Sequence, residues 1–177
     1  IDGLDALLQR AVEANIFGTK MRSLIESASK SGIEAVVAQQ FEVAKKILEH
    51  GLVPIIEPEI NIAIADKAAA EDLLLQIITR HLEAVPADQK IMLKLTLPDT
   101  ANHYAPLVAH DSVLRVVALS GGYDRKTATQ RLAQNTGVIA SFSRALTEGL
   151  SAQQNDSAFD AALGQAVLDI YHASVAG

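Results

Sequence analysis

Lys94 stands inside an otherwise apolar run, Ile91 to Pro98 (IMLKLTLP), where its ammonium group would lose hydration. Removing a cation from water costs on the order of several kcal/mol, and the relief is a lowered pKa that leaves a neutral amine. A neutral amine is a nucleophile for carbonyl carbon, so the chemistry this position suggests is Schiff-base formation. The plainer alternative is a lysine that snorkels to a rim or pairs with a carboxylate for structure alone. Glu57 and Glu59 close a second apolar run, Val53 to Ile60 (VPIIEPEI). Two residues apart on a strand, they point to the same side, and Pro58 between them should stop the hydrogen-bond ladder. Carboxylates beside an amine can shuttle protons during imine formation. A strand-end acidic turn or a capping pair would explain them equally well.

Two further stretches suit an anion. In LSGGY, Gly121 and Gly122 let the backbone approach a ligand, and their N–H groups can face negative charge. In SFSRAL, Ser141, Ser143 and Arg144 follow a short apolar run and open a helical stretch, where free N–H groups and a cation favour phosphate. Read singly, SGG is a plain turn. Read together and in this order, the two stretches predict a phosphate site.

These residues need elements to hold them. Short apolar runs alternate with helical periodicity along the chain, and they predict strands near residues 15–20, 52–57, 90–95, 113–119 and 137–142. Between them, helical spacing appears at Leu4–Val12, through GIEAVVAQQFEVAKKILEHG with Gly51 as its stop, and near 68–82, 104–109 and 125–133. A last helix is expected near 159–173, with box-like starts at Ser151 and Ser157. The runs are continuous rather than alternating, as strands covered on both faces require. The fold class is therefore α/β with a parallel sheet, and the missing glycine fingerprint argues against a dinucleotide-binding fold.

Every predicted strand ends in polar chemistry: Lys20 and Arg22, then Glu57 and Glu59, then Lys94, then Ser120 with Gly121, then Ser141, Ser143 and Arg144. That distribution belongs to a TIM (β/α)8 barrel, whose chemistry gathers at the carboxyl ends of many strands. Eight units need about 250 residues, so residues 1–177 read as a single partial barrel of about five C-terminal βα units, from a protein longer by roughly a hundred residues.

Composition narrows the remaining classes. The net charge of −6 offers no broad basic field for nucleic acid. No apolar run approaches the roughly 18 residues of a membrane span. The absence of cysteine rules out disulfide and thiolate chemistry and fits a cytoplasmic protein. The five histidines lack metal-ligand spacing, so no metal site is expected.

GLVPIIEPEI, IMLKLTLP, VVALSGGY and IASFSRALTEGL resemble class I fructose-bisphosphate aldolase, most closely its bacterial branch. The resemblance runs from NIFGTKMRS to the terminal IYHASVAG. It implies a metal-independent lyase of glycolysis, without cofactor, acting on a phosphorylated sugar, and it is compatible with a homo-oligomer. It implies Lys94 as the Schiff-base lysine, Glu57 as proton donor and acceptor, and Glu59 and Lys20 close to the reacting carbons. Arg22 matches a residue lining the substrate channel. Ser120, Gly121, Ser143 and Arg144 match positions that hold a phosphate. The family carries three further βα units before this segment, with an acidic residue and a lysine that have no counterpart here. Another Schiff-base sugar-phosphate lyase and a non-catalytic barrel fragment are the alternatives.

Overall fold

Seven helices and five strands alternate in the computed structural model, which describes residues 2–176. The order is α1 (Leu4–Glu13), β1 (Gly18–Ile25), α2 (Lys30–Glu49), β2 (Val53–Ile60), α3 (Lys67–Leu82) and β3 (Ile91–Thr96). Then come α4 (Ala105–Val108), β4 (Val113–Leu119), α5 (Arg125–Leu132), β5 (Val138–Ala140), α6 (Arg144–Thr147) and α7 (Asp156–Val175). All four strand pairings are parallel, and the sheet runs β1-β2-β3-β4-β5 in chain order, with β1 and β5 as its edges among the described residues.

Sequential parallel order has a geometric consequence. Right-handed crossovers then place every connecting helix on the same face of the sheet. Ile25, Ile56, Ile60, Leu93, Leu95, Val116 and Ala118 point to that face and form one core with Ile33, Val37 and Phe41 of α2 and Leu74, Ile77 and Ile78 of α3. Each fully buried Ile or Leu there contributes about 1.5–3 kcal/mol of transfer free energy.

The other face is unevenly covered among the described residues. Leu24 and Ile139 of the edge strands lie on it at 44% and 37% exposure, whereas Glu57, Val117 and Leu119 of the inner strands are buried there. The runs are continuous because one parity packs against helices while the other carries a mixed apolar and charged surface.

Three local expectations are corrected. The first strand starts at Gly18 rather than near residue 15, because the chain leaving α1 turns through Asn15 (φ 54°) and Ile16 donates back to the Ala11 carbonyl. It then pairs with β2 without interruption from Gly18–Val53 to Ile25–Ile60, so Lys20 and Arg22 sit within the strand, not at its end. Pro58 does not end β2. It lies beyond the last β2–β3 register pair, Ile56 with Leu93, while the β1 side continues. Past that pair the Thr96 hydroxyl substitutes for the ladder, accepting from the Ile60 N–H at 2.9 Å and donating to its carbonyl at 3.0 Å. Neither Ser151 nor Ser157 caps the last helix. Asn155 does, accepting from Ala158 N–H at 2.8 Å, and Ser157 falls inside α7.

Candidate active site

On the face away from the helices, β1, β2 and β3 bring their charged residues together by strand parity alone. Lys20 and Arg22 share a parity, as do Glu57 and Glu59, and the register sets Arg22 beside Glu57. Lys94 of β3 reaches the same place. Its Nζ lies 3.2 Å from Glu57 Oε1, while Lys20 forms an ion pair with Oε2 that lacks hydrogen-bond alignment. Arg22 Nε donates to Glu59 Oε2 at 2.8 Å. That bond and the charge of Glu59 raise the guanidinium pKa above its ordinary value, so Arg22 keeps its proton throughout the accessible range.

Glu57 is the pivot of the arrangement. Its side chain is 4% exposed, against 18% for Lys94 and 39% for Lys20. One buried carboxylate therefore serves two ammonium groups, and only one of them is largely withdrawn from water. The backbone of Glu57 is fixed from behind by Gln40, a residue of α2 buried to 2%. The Gln40 carbonyl oxygen accepts from Glu57 N–H at 2.9 Å, and its amide donates to Ser23 Oγ of β1 at 2.9 Å.

The anion stretches border the same cleft. Arg22, Glu57, Glu59, Lys94, Ser120, Gly121, Ser141, Ser143 and Arg144 all line it, with Leu119 between the two halves. Lys20 joins through its pair with Glu57. Thus the structure assembles all ten candidate residues, from five strands and their following loops. Gly121 and Gly122 have φ of 64° and 112°, closed by a bond from Tyr123 N–H to the Ser120 carbonyl at 2.9 Å. A Cβ on Gly121 would come within 2.9 Å of Ile62 Cγ2, so both conformation and space require glycine. Arg144 is exposed and forms no ion pair among the described residues, whereas both carboxylates of the cleft already have cations. It is the one cation lining the cleft without a carboxylate partner among the described residues.

A second set of polar groups went unread in the sequence. Lys67 and Glu71 of α3 are buried to 4% and 1% and form an ion pair. Lys67 Nζ also donates to the Leu97 carbonyl and to Asp99, each at 3.1 Å, and Asp99 N–H donates to Glu71 Oε2 at 3.1 Å. Arg131 of α5 donates to the Pro98 carbonyl and Asp99 Oδ1, each at 3.0 Å. Together they pin the segment leaving β3. The only sequence signal was a Lys–Glu pair four apart, which usually marks a solvated helix face.

Burial opposes ionisation of Asp99, but the bonds and charges of Lys67 and Arg131 outweigh it and hold the carboxyl below the usual aspartate range. A depressed folded-state pKa gives stability that is present above the unfolded value of about 3.9 and lost as pH falls through the folded one. Asp99→Asn should therefore lower the urea midpoint at neutral pH by the equivalent of about 1 kcal/mol or less, given the partial exposure of Asp99. The difference from the parent should shrink in titrations below the ordinary aspartate range. A gap that persists undiminished in acid would mean that charge is not its origin.

No cluster of potential metal ligands exists among the described residues, and no helix there is long and apolar enough to cross a membrane.

Parallel strands in chain order, helices on one face and polar groups gathered from all five strands and their following loops define part of the wall of a TIM (β/α)8 barrel. A solved fructose-bisphosphate aldolase from Plasmodium falciparum shares this fold, with a TM-score of 0.74 at 20% identity, over 99% of this chain and 62% of that one. The chain itself is a homologue of the bacterial class 1 fructose-bisphosphate aldolases. It is 55% identical to the "Fructose-bisphosphate aldolase class 1" of Synechocystis sp. and 51% identical to that of Clostridium acetobutylicum, each over 175 residues and 99% of this chain. It spans 58% and 59% of the length of these curated relatives, in their C-terminal part. No family model matches the chain.

Proposed function

We propose that this chain carries the catalytic rim of a Schiff-base aldolase, which cleaves fructose 1,6-bisphosphate into dihydroxyacetone phosphate and glyceraldehyde 3-phosphate. The observation that carries the reading is Lys94 Nζ, 3.2 Å from a carboxylate that is itself almost wholly buried. The names of the bacterial relatives support it.

In this reading Lys94 passes a proton to Glu57 and attacks the C2 carbonyl as the free amine. Glu57 returns the proton to the carbinolamine hydroxyl, which leaves as water, and the iminium forms. The C3–C4 bond then breaks with its electron pair drawn into the iminium, while the C4 hydroxyl gives its proton to the regenerated carboxylate. Glyceraldehyde 3-phosphate departs. Protonation of the enamine at C3 and addition of water release dihydroxyacetone phosphate and restore the lysine. Glu59, held by Arg22, and Lys20, paired with Glu57, set the field around the reacting carbons. Ser120, Gly121, Ser141, Ser143 and Arg144 receive a phosphate, whose binding energy, remote from the breaking bond, holds the carbonyl against Lys94. The cytoplasm, where sugar phosphates are made and consumed, is the proposed location.

The test is cleavage of fructose 1,6-bisphosphate by the protein in excess chelator, followed by triose phosphate release. Undiminished release is expected. No release at all, or a loss restored by zinc, would overturn the reading.

A further inference from the structure

The Gly121–Gly122 turn has no side chains with which to anchor itself. Its exit residue, Tyr123, does. The Tyr123 ring lies under the guanidinium of Arg131, 4.6 Å from ring centroid to Cζ. The same guanidinium donates through Nη1 to the Pro98 carbonyl and to Asp99, and Asp99 is held in turn by Lys67, buried on α3. Pro98 and Asp99 follow β3, the strand that bears Lys94. Arg131 is thus a brace between the turn after β4 and the segment after β3.

A planar cation can stack on a ring and bond two oxygens at once, which neither a lysine nor an apolar side chain reproduces. We propose that Arg131 is a positioning residue that sets the distance between the anion-binding turn and Lys94. The inference rests on the reading above, in which that turn receives the substrate's phosphate. A phosphate and a carbonyl joined by a fixed number of bonds need anchor and nucleophile at a fixed separation, so a shifted turn costs binding before it costs chemistry.

Inorganic phosphate is the probe, titrated into the intact protein while the amide signals of Gly121 and Gly122 are followed. Arg131→Met should weaken phosphate binding about five- to tenfold, which lies within the range of coupling through a packed network. The half-saturating concentration of dihydroxyacetone phosphate for borohydride trapping should rise in parallel, with the maximal trapped fraction unchanged. A merely structural loss would lower that maximum and leave the half-saturation point alone. Tyr123→Leu removes the ring but not the bonds of Arg131 to Pro98 and Asp99, so it keeps the test open if Arg131→Met folds poorly. It should show the same loss, and the double variant no more than either single one.

Phosphate affinity at the parental level in Arg131→Met, or in Tyr123→Leu, overturns the brace. Phosphate that fails to move the Gly121 and Gly122 signals of the parent protein overturns the anion site itself, and the brace falls with it.

Discussion

Borohydride added to the protein with dihydroxyacetone phosphate is expected to fix the three-carbon phosphate irreversibly on Lys94. Two lysines contact Glu57, so the choice between them must be argued. Lys20 is the more exposed, pairs with Oε2 from β1 and does not line the cleft. Lys94 projects from the third strand into the cleft, with Glu57 on one side and the Ser120–Gly121 turn at its far end. Of the two, only Lys94 lines the cavity that also holds Glu57 and the Ser120–Gly121 turn, the proton acceptor and anion anchor of the proposed reading. Peptide mass analysis should place the adduct there, and Lys94→Arg should abolish it, because a guanidinium stays protonated and cannot attack. An adduct found on Lys20 would transfer the nucleophile's role to β1.

Glu57→Gln is expected to reduce kcat by on the order of 10²- to 10⁴-fold, the usual worth of a positioned acid–base group. Glutamine keeps the shape and can still accept from an ammonium group, yet it cannot relay a proton between amine, carbinolamine and hydroxyl. The substitution also leaves Lys20 and Lys94 without the carboxylate they share, and breaking a buried pair can cost about 3–5 kcal/mol. A melting curve must accompany the kinetics. A folded variant that forms the imine at the parental rate would show that Glu57 is a structural counter-ion and that the proton moves by another route.

Much of this arrangement could be read from residue order. Apolar runs of strand length, each followed by polar groups, specified parallel strands and a shared rim, and the strand parity of Glu57 and Glu59 placed both on the cleft side. The same rule could not say where β1 begins, since that depends on how α1 unwinds through Asn15 and Ile16. Nor could it foresee that β2 outlasts Pro58. A proline stops a ladder only on the side toward which its missing N–H would have pointed, and Thr96, distant in sequence, fills the gap on the β3 side. Gln40 and Lys67 escaped notice because their helical spacing is that of ordinary surface residues. Only the tertiary fold turns them inward.

The double engagement of Gln40 bears on any attempt to transplant this chemistry. Grafting Lys20, Glu57 and Lys94 onto another barrel's strands would carry over the nucleophile of the proposed reading, the carboxylate that moves its protons and the second ammonium group beside them. It would leave behind the amide that holds Glu57 by its backbone and β1 by Ser23. The orphaned N–H of Glu57 would cost about 1–3 kcal/mol and free the strand to shift. The smallest portable unit is therefore not a set of side chains but a strand–helix–strand module, β1 through β2 with α2 included, together with the β3 strand that carries Lys94. A designer who copied only the visible rim would reproduce the inventory of the site and lose its aim.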